Sequence, residues 1–169
     1  TTEVISFSYL GLKDNKYEYS YPNLLHEDVS SFEIIKLDIV SGTKLQLCDS
    51  DCLQDARNAN KQFSKRYINH LLVSPEKDRF IFLLRYENNK EKWDYLMLGS
   101  TSVKNVSILA EGYFSHFAWK DNDNIVFYGK INGLRGYFLF NILSLEVSKL
   151  PIRDHLDGHM SIDGNEMVY

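Results

Sequence analysis

The stretch YINHLLVSPEKDRFIFLLRY, residues 67–86, restricts this chain more than any other. It reads as an apolar strand, a Ser-Pro-Glu-Lys-Asp turn and a second apolar strand, with His70 near the start of the first. The phrase returns as GYFSHFAWKDNDNIVFYG (residues 112–129), with His116 at the matching place, and as DGHMSIDGNEMVY (residues 157–169), with His159. The histidines are 46 and 43 residues apart. A unit of short strands at such a period cannot bury both of its faces by itself, so it needs a neighbour on each side.

The other half of the unit recurs as well. FEIIKLDIV-SGT-KLQLC (residues 32–48) is a hairpin with Gly42 in the turn. Residues 136–150 match it as strand, polar residue (Asp38, then Asn141), apolar residue, turn and strand, and residues 93–99 with 105–111 fill the same role between them. Residues 2–10 alternate as a further strand. The expected fold is therefore all-β, a β-propeller segment of about three to four blades with four antiparallel strands each. Its expected parts are an incomplete blade at 1–48, blades at 67–111 and 113–150, and a partial blade at 157–169. A closed ring takes ~4–8 blades. The chain is thus expected to belong to a larger, seven-bladed-type ring, or to complete one by self-association, with open edges otherwise exposed to aggregation.

Between these units lie two polar stretches. Residues 11–31 form a long insertion with Pro22, His26 and a Tyr17, Tyr19, Tyr21 stripe, suited to stacking on sugar rings or to packing over the strands. Residues 49–66 are the one place for a helix, short and solvated, with Ser50 or Asp51 as its N-cap. Trp93, Tyr95, Phe114, Trp119 and Tyr137 sit at strand spacing and are expected in the core between units.

Composition narrows the function classes. Aromatics make up 14% of the chain, with eleven Tyr and ten Phe, which favours strands. The net charge is -4 with mixed signs, so no basic field exists to hold nucleic acid. No apolar run approaches the ~20 residues of a membrane helix. Cys48 and Cys52, spaced C-x3-C, are expected as reduced thiols. Together with the lack of a legible secretory signal they favour a cytoplasmic address, although a chain starting at Thr1 reads as a processed or trimmed product. There is no G-x-G-x-x-G, Walker loop, G-x-S-x-G elbow or C-x2-C pair, so nucleotide, kinase and serine-hydrolase readings drop out.

H-x-x-x-S-P at residues 70–75 and D-G-H-x-S at residues 157–161 resemble the TolB-like and oligogalacturonate-lyase-like β-propellers. The resemblance covers residues 67–169 well and the first unit loosely. It implies the fold more than the activity, because propellers host many unrelated functions. In the lyases, channel histidines bind a divalent metal and the substrate uronate. By resemblance, His70, His116 and His159 take those positions, while no further metal ligand or catalytic arginine is identified by motif.

Histidines at equivalent positions of successive units converge on one mouth of the channel. Imidazoles there have three readings: hydrogen bonds to a neighbouring unit, a polar ligand such as a carbohydrate, or a divalent cation such as Mn or Zn. Asn69 and Ser115 precede their histidines and either orient them or reach the ligand. His155 and Arg153 are further candidates, Arg153 for a sugar carboxylate, with Arg85 and Arg135 also available. The leading expectation is a binding propeller for a carbohydrate or other polar ligand. Its alternatives are a metal-dependent polysaccharide lyase acting on uronate-containing oligosaccharides, and a protein-interaction scaffold.

Overall fold

The computed structural model describes residues 3–9, 32–53, 65–87, 92–152 and 157–168. Within them the chain is all-β, its sheets are antiparallel, and no helix is long and apolar enough to cross a membrane. The strands are β1 (Glu3–Tyr9), β2 (Phe32–Asp38), β3 (Lys44–Asp49), β4 (Lys65–Val73), β5 (Arg79–Glu87) and β6 (Lys92–Ser100). They continue with β7 (Val106–Trp119), β8 (Asn124–Ile131), β9 (Leu134–Asn141), β10 (Val147–Lys149), β11 (Ser161–Asp163) and β12 (Glu166–Val168). β1, β2 and β3 form one sheet, β4 to β10 follow one another in a second, and β11 pairs with β12.

β7 is the pivot of the long sheet. The sequence reads residues 105–111 and 112–119 as strands of two different units, yet they form one 14-residue strand. Its first half pairs with β6 up to Gly112, and its second half pairs with β8 from Tyr113 onward. Gly112 stands at the handover with φ +146, a conformation that a residue with a Cβ rarely adopts. Asp94 accepts a hydrogen bond from the Phe114 N–H just beyond it.

Strand alternation then decides the packing. Along β5 successive side chains face opposite ways. Phe80, Phe82 and Leu84 join Phe32, Ile34, Leu47 and Ile68 from the first sheet and β4. Ile81 and Leu83 pack instead with Phe114, Phe117, Phe127, Phe138 and Phe140. On the far side of β8 and β9, Val126, Tyr128 and Tyr137 are covered by Met160, Ile162 and Met167 around β11 and β12. Three cores thus lie between four layers. Buried strands that are apolar on both faces can exist only inside such a stack.

Polar seams tie neighbouring layers at one end. Trp119 Nε1 donates to the Leu72 carbonyl at 3.3 Å, and Asn122 Nδ2 donates to Glu76 Oε2 and Asp78 Oδ1, each at 3.3 Å. Arg79 reaches Asp123 at 3.2 Å. Equivalent backbone bonds run from the Thr101 N–H to the Asp78 carbonyl and from the Ile142 N–H to the Asp123 carbonyl. Asp38 caps the N–H groups of Val40 and Ser41, and Asn141 caps those of Leu143 and Ser144 in the same way.

Some expectations are corrected. Of the 49–66 segment expected to hold a short helix, the described part holds a 3-10 turn, Ser50–Leu53, capped by Asp49, whose Oδ1 accepts from the Asp51 and Cys52 N–H groups. Asp49 is positioned for this by the end of β3. Trp93, expected in the core, is 39% exposed, whereas Tyr95, Phe114 and Tyr137 are buried. The 11–31 insertion with its tyrosines, residues 54–64, His155 and Arg153 lie outside the described residues. Cys48 and Cys52 are free thiols, and burial, with Cys52 beside it, pushes the Cys48 thiol far above its ordinary value.

Phe127 stacks on Phe138 at 5.4 Å and meets Phe114 edge-on at 5.1 Å in the central core. Phe127→Ala should therefore lower unfolding stability by about 3–5 kcal/mol, as read by urea denaturation.

Candidate functional site

Three imidazoles from three separate segments meet at one place. The ring centroids of His116 and His159 are 4.3 Å apart, those of His70 and His116 5.5 Å, and those of His70 and His159 5.8 Å. His70 comes from β4, His116 from the second half of β7, and His159 from the segment leading into β11. Phe117 lies against His70 at 6.0 Å and closes the apolar side.

Two β-bulges bring the rings together. Between Asn69 and Leu72 the β4–β5 register slips, so residues 70 and 71 oppose one residue of β5. The same slip occurs between Phe114 and Phe117 opposite β8. Matching the two bulges pairs Asn69 with Phe114 and Leu72 with Phe117. His70 then corresponds to Ser115, and His116 to Leu71. His70 and His116 are therefore one residue out of step with the strand pairing, which corrects the reading that these two occupy equivalent positions. They meet nevertheless, and His70 there adopts the left-handed region at φ +53. For a non-glycine residue this is an uncommon and costly conformation, of the kind that collects at binding sites. His70 also stands in the later half of β4 rather than near its start.

The polar environment distinguishes the three rings. His116 Nδ1 lies 2.8 Å from Asp157 Oδ1 and 3.0 Å from Ser115 Oγ. An ionised carboxylate only accepts, so Nδ1 carries the proton and Nε2 is left as an acceptor in the neutral ring. Ser115 thus orients its histidine. Among the described residues no hydrogen bond engages a ring nitrogen of His70 or His159. Burial first, then the nearby Arg85, His116 and His159, lower the His70 pKa to about 4. His70 is accordingly neutral at physiological pH and offers one donor and one acceptor.

Arg85 and Asp94, which the sequence did not single out as a pair, sit directly behind the rings. Arg85 Nε donates to Asn69 Oδ1 at 3.1 Å, and Nη2 donates to the Phe114 carbonyl at 2.9 Å. Its Nη1 lies 3.5 Å from Asp94 Oδ1, which makes an ion pair rather than a well-formed hydrogen bond. Asp94 is 1% exposed, and burial raises its carboxyl above the ordinary value despite the guanidinium. With these partners Arg85 is committed to the protein and is not a free cation for a sugar carboxylate. Asn69 serves Arg85. Arg135 lies over the Tyr113 ring at 5.6 Å.

Among the described residues no group of three or more His, Cys, Asp or Glu is disposed to hold a metal ion, so His70, His116 and His159 do not fit the Mn or Zn expectation as they stand. His116 Nδ1 is taken by Asp157.

Comparison with family models, with curated proteins and with solved structures returns no match. The site's chemistry rests on its own geometry.

His70 has a folded pKa of about 4 against an ordinary 6.5, so the unfolded chain takes up this proton first as the pH falls. Its contribution to stability is complete above about pH 6.5 and is lost on the way down to about pH 4. Urea midpoints should fall between about pH 7.5 and about pH 5. His70→Asn, which tolerates the positive φ, should flatten part of that slope.

Proposed function

We propose that the chain is a segment of a TolB-like or oligogalacturonate-lyase-like β-propeller, and that it binds a hydroxyl-rich ligand, a carbohydrate or similar polar molecule, at the histidine cluster. The layered sheets support the first part. β7 serves two successive four-stranded units, each unit is apolar on both faces, and equivalent turn bonds recur from one unit to the next. Residues 67–111, 113–150 and 157–169 are the corresponding blades, with 1–48 as an incomplete one. The ring is completed by further chain or by self-association.

One observation carries the ligand reading: three imidazoles share one partly solvated place, each with a ring nitrogen that no described residue engages. A neutral imidazole pairs one donor with one acceptor, as a hydroxyl does. Neighbouring hydroxyls of a sugar ring match that pattern, and a neutral His70 charges no penalty for a neutral ligand. The carboxylate of Asp157 beside His116 adds a further acceptor at the edge. A metal-dependent lyase is less well supported, because the described residues gather no group of three or more metal-ligating side chains. A protein-interaction scaffold leaves the unused nitrogens and the strained His70 backbone without a role.

A glycan array probed with the chain should show binding, and the His70→Ala/His116→Ala pair should weaken it by about tenfold or more, since each net hydrogen bond contributes about 1 kcal/mol. A blank array with the folded wild-type chain removes this reading.

A further inference from the structure

The Arg85 guanidinium touches both bulges at once. On one side its Nε–H donates to Asn69, the residue before His70. On the other its Nη2 donates to the Phe114 carbonyl and lies 3.5 Å from the Ser115 carbonyl, the two residues before His116. Asp94, on the neighbouring strand β6, takes the Phe114 N–H at 3.0 Å and the charge of Arg85 at 3.5 Å. β4 and the second half of β7 belong to different layers and share no strand pairing, since β5 and β6 lie between β4 and β7 in the sheet. No direct backbone ladder therefore sets the distance between the two bulges. A planar fork with five fixed donors can fix it, and an ammonium cannot.

We propose that Arg85 is the positioning residue of the histidine site: seated on Asp94, it clasps the Asn69 and Phe114–Ser115 bulges and thereby sets how His70 and His116 face each other. The purpose of this clasp rests on the ligand reading above, but its geometry does not. A bulge leaves its extra residues without ladder partners, so the direction of a side chain there depends on what holds the carbonyls beside it. At the β7 bulge those carbonyls are held by Arg85. The guanidinium also faces His70 and disfavours a second positive charge there. The same group thus aims the ring and adds to the burial that keeps it neutral.

The test compares the wild-type chain with Arg85→Met/Asp94→Asn, which removes both buried charges together and leaves neither unpaired. Proton NMR should show ring-to-ring cross-peaks between His70 and His116 in the wild type and their loss in the double variant. The His70 titration midpoint should move up toward the ordinary value. Arg85→Lys separates charge from shape: the midpoint should stay low while the cross-peaks are lost. A folded double variant with unchanged cross-peaks and an unchanged midpoint overturns the proposal. If the double variant does not fold, the wild type decides. A slowly exchanging Arg85 Nε proton with a cross-peak to the Asn69 side chain supports the clasp, and a fast-exchanging one without it overturns the clasp. These readouts need no ligand, so a blank glycan array leaves them intact and sinks only the binding reading.

Discussion

Burial on both faces of β5 and β8 is the constraint from which the rest of this structure follows. Phe80, Ile81, Phe82, Leu83 and Leu84 are each fully buried, yet consecutive side chains on a strand point to opposite sides. One sheet cannot satisfy both directions, so a layer must lie on each side. The first sheet covers one face and the β7–β9 unit covers the other. The β7–β9 unit has the same requirement on its own far side, where Val126, Tyr128 and Tyr137 are met by residues around β11 and β12. At about 25 cal/mol per Å² of apolar surface, such stacking supplies most of the force that holds successive units together.

Against that apolar stack, the polar groups inside it are exceptional. Asp94 is buried with Arg85 as its charge partner, an arrangement that hydrophobic residues of equal size often match in stability. Retaining it makes sense where a direction must be fixed. The direction here is that of two bulged segments carrying His70 and His116. The left-handed backbone at His70 adds local strain at the same spot. Stability is therefore concentrated in the phenylalanine-rich layers, while the histidine site is strained and held by polar contacts.

Much of this was legible from residue order. The strand-turn-strand phrase, the hairpins at 32–48 and 136–150 and the Asp38/Asn141 equivalence all have counterparts in the structure, because period-2 alternation and turn chemistry are local signals. The spacing of His70, His116 and His159 suggests that they gather, and their rings do lie together. The pairing register is not legible in that way. A two-for-one bulge leaves no mark in composition, so near-equal spacing of His70 and His116 does not make their positions equivalent. Trp93 has the spacing of a core residue yet is exposed, because strand spacing alone does not say which end of a strand is covered.

Residue order by itself determined that this chain makes antiparallel strands with two apolar faces, and that three histidines recur with them, because backbone alternation needs only neighbours in sequence. Tertiary structure alone decided that β7 serves two units, that His116 takes Asp157 as its partner, and that Arg85 spans Asn69 and Phe114. Each of those depends on groups distant in the chain meeting at hydrogen-bond range, and bulges, which shift a strand by one residue, choose which groups meet.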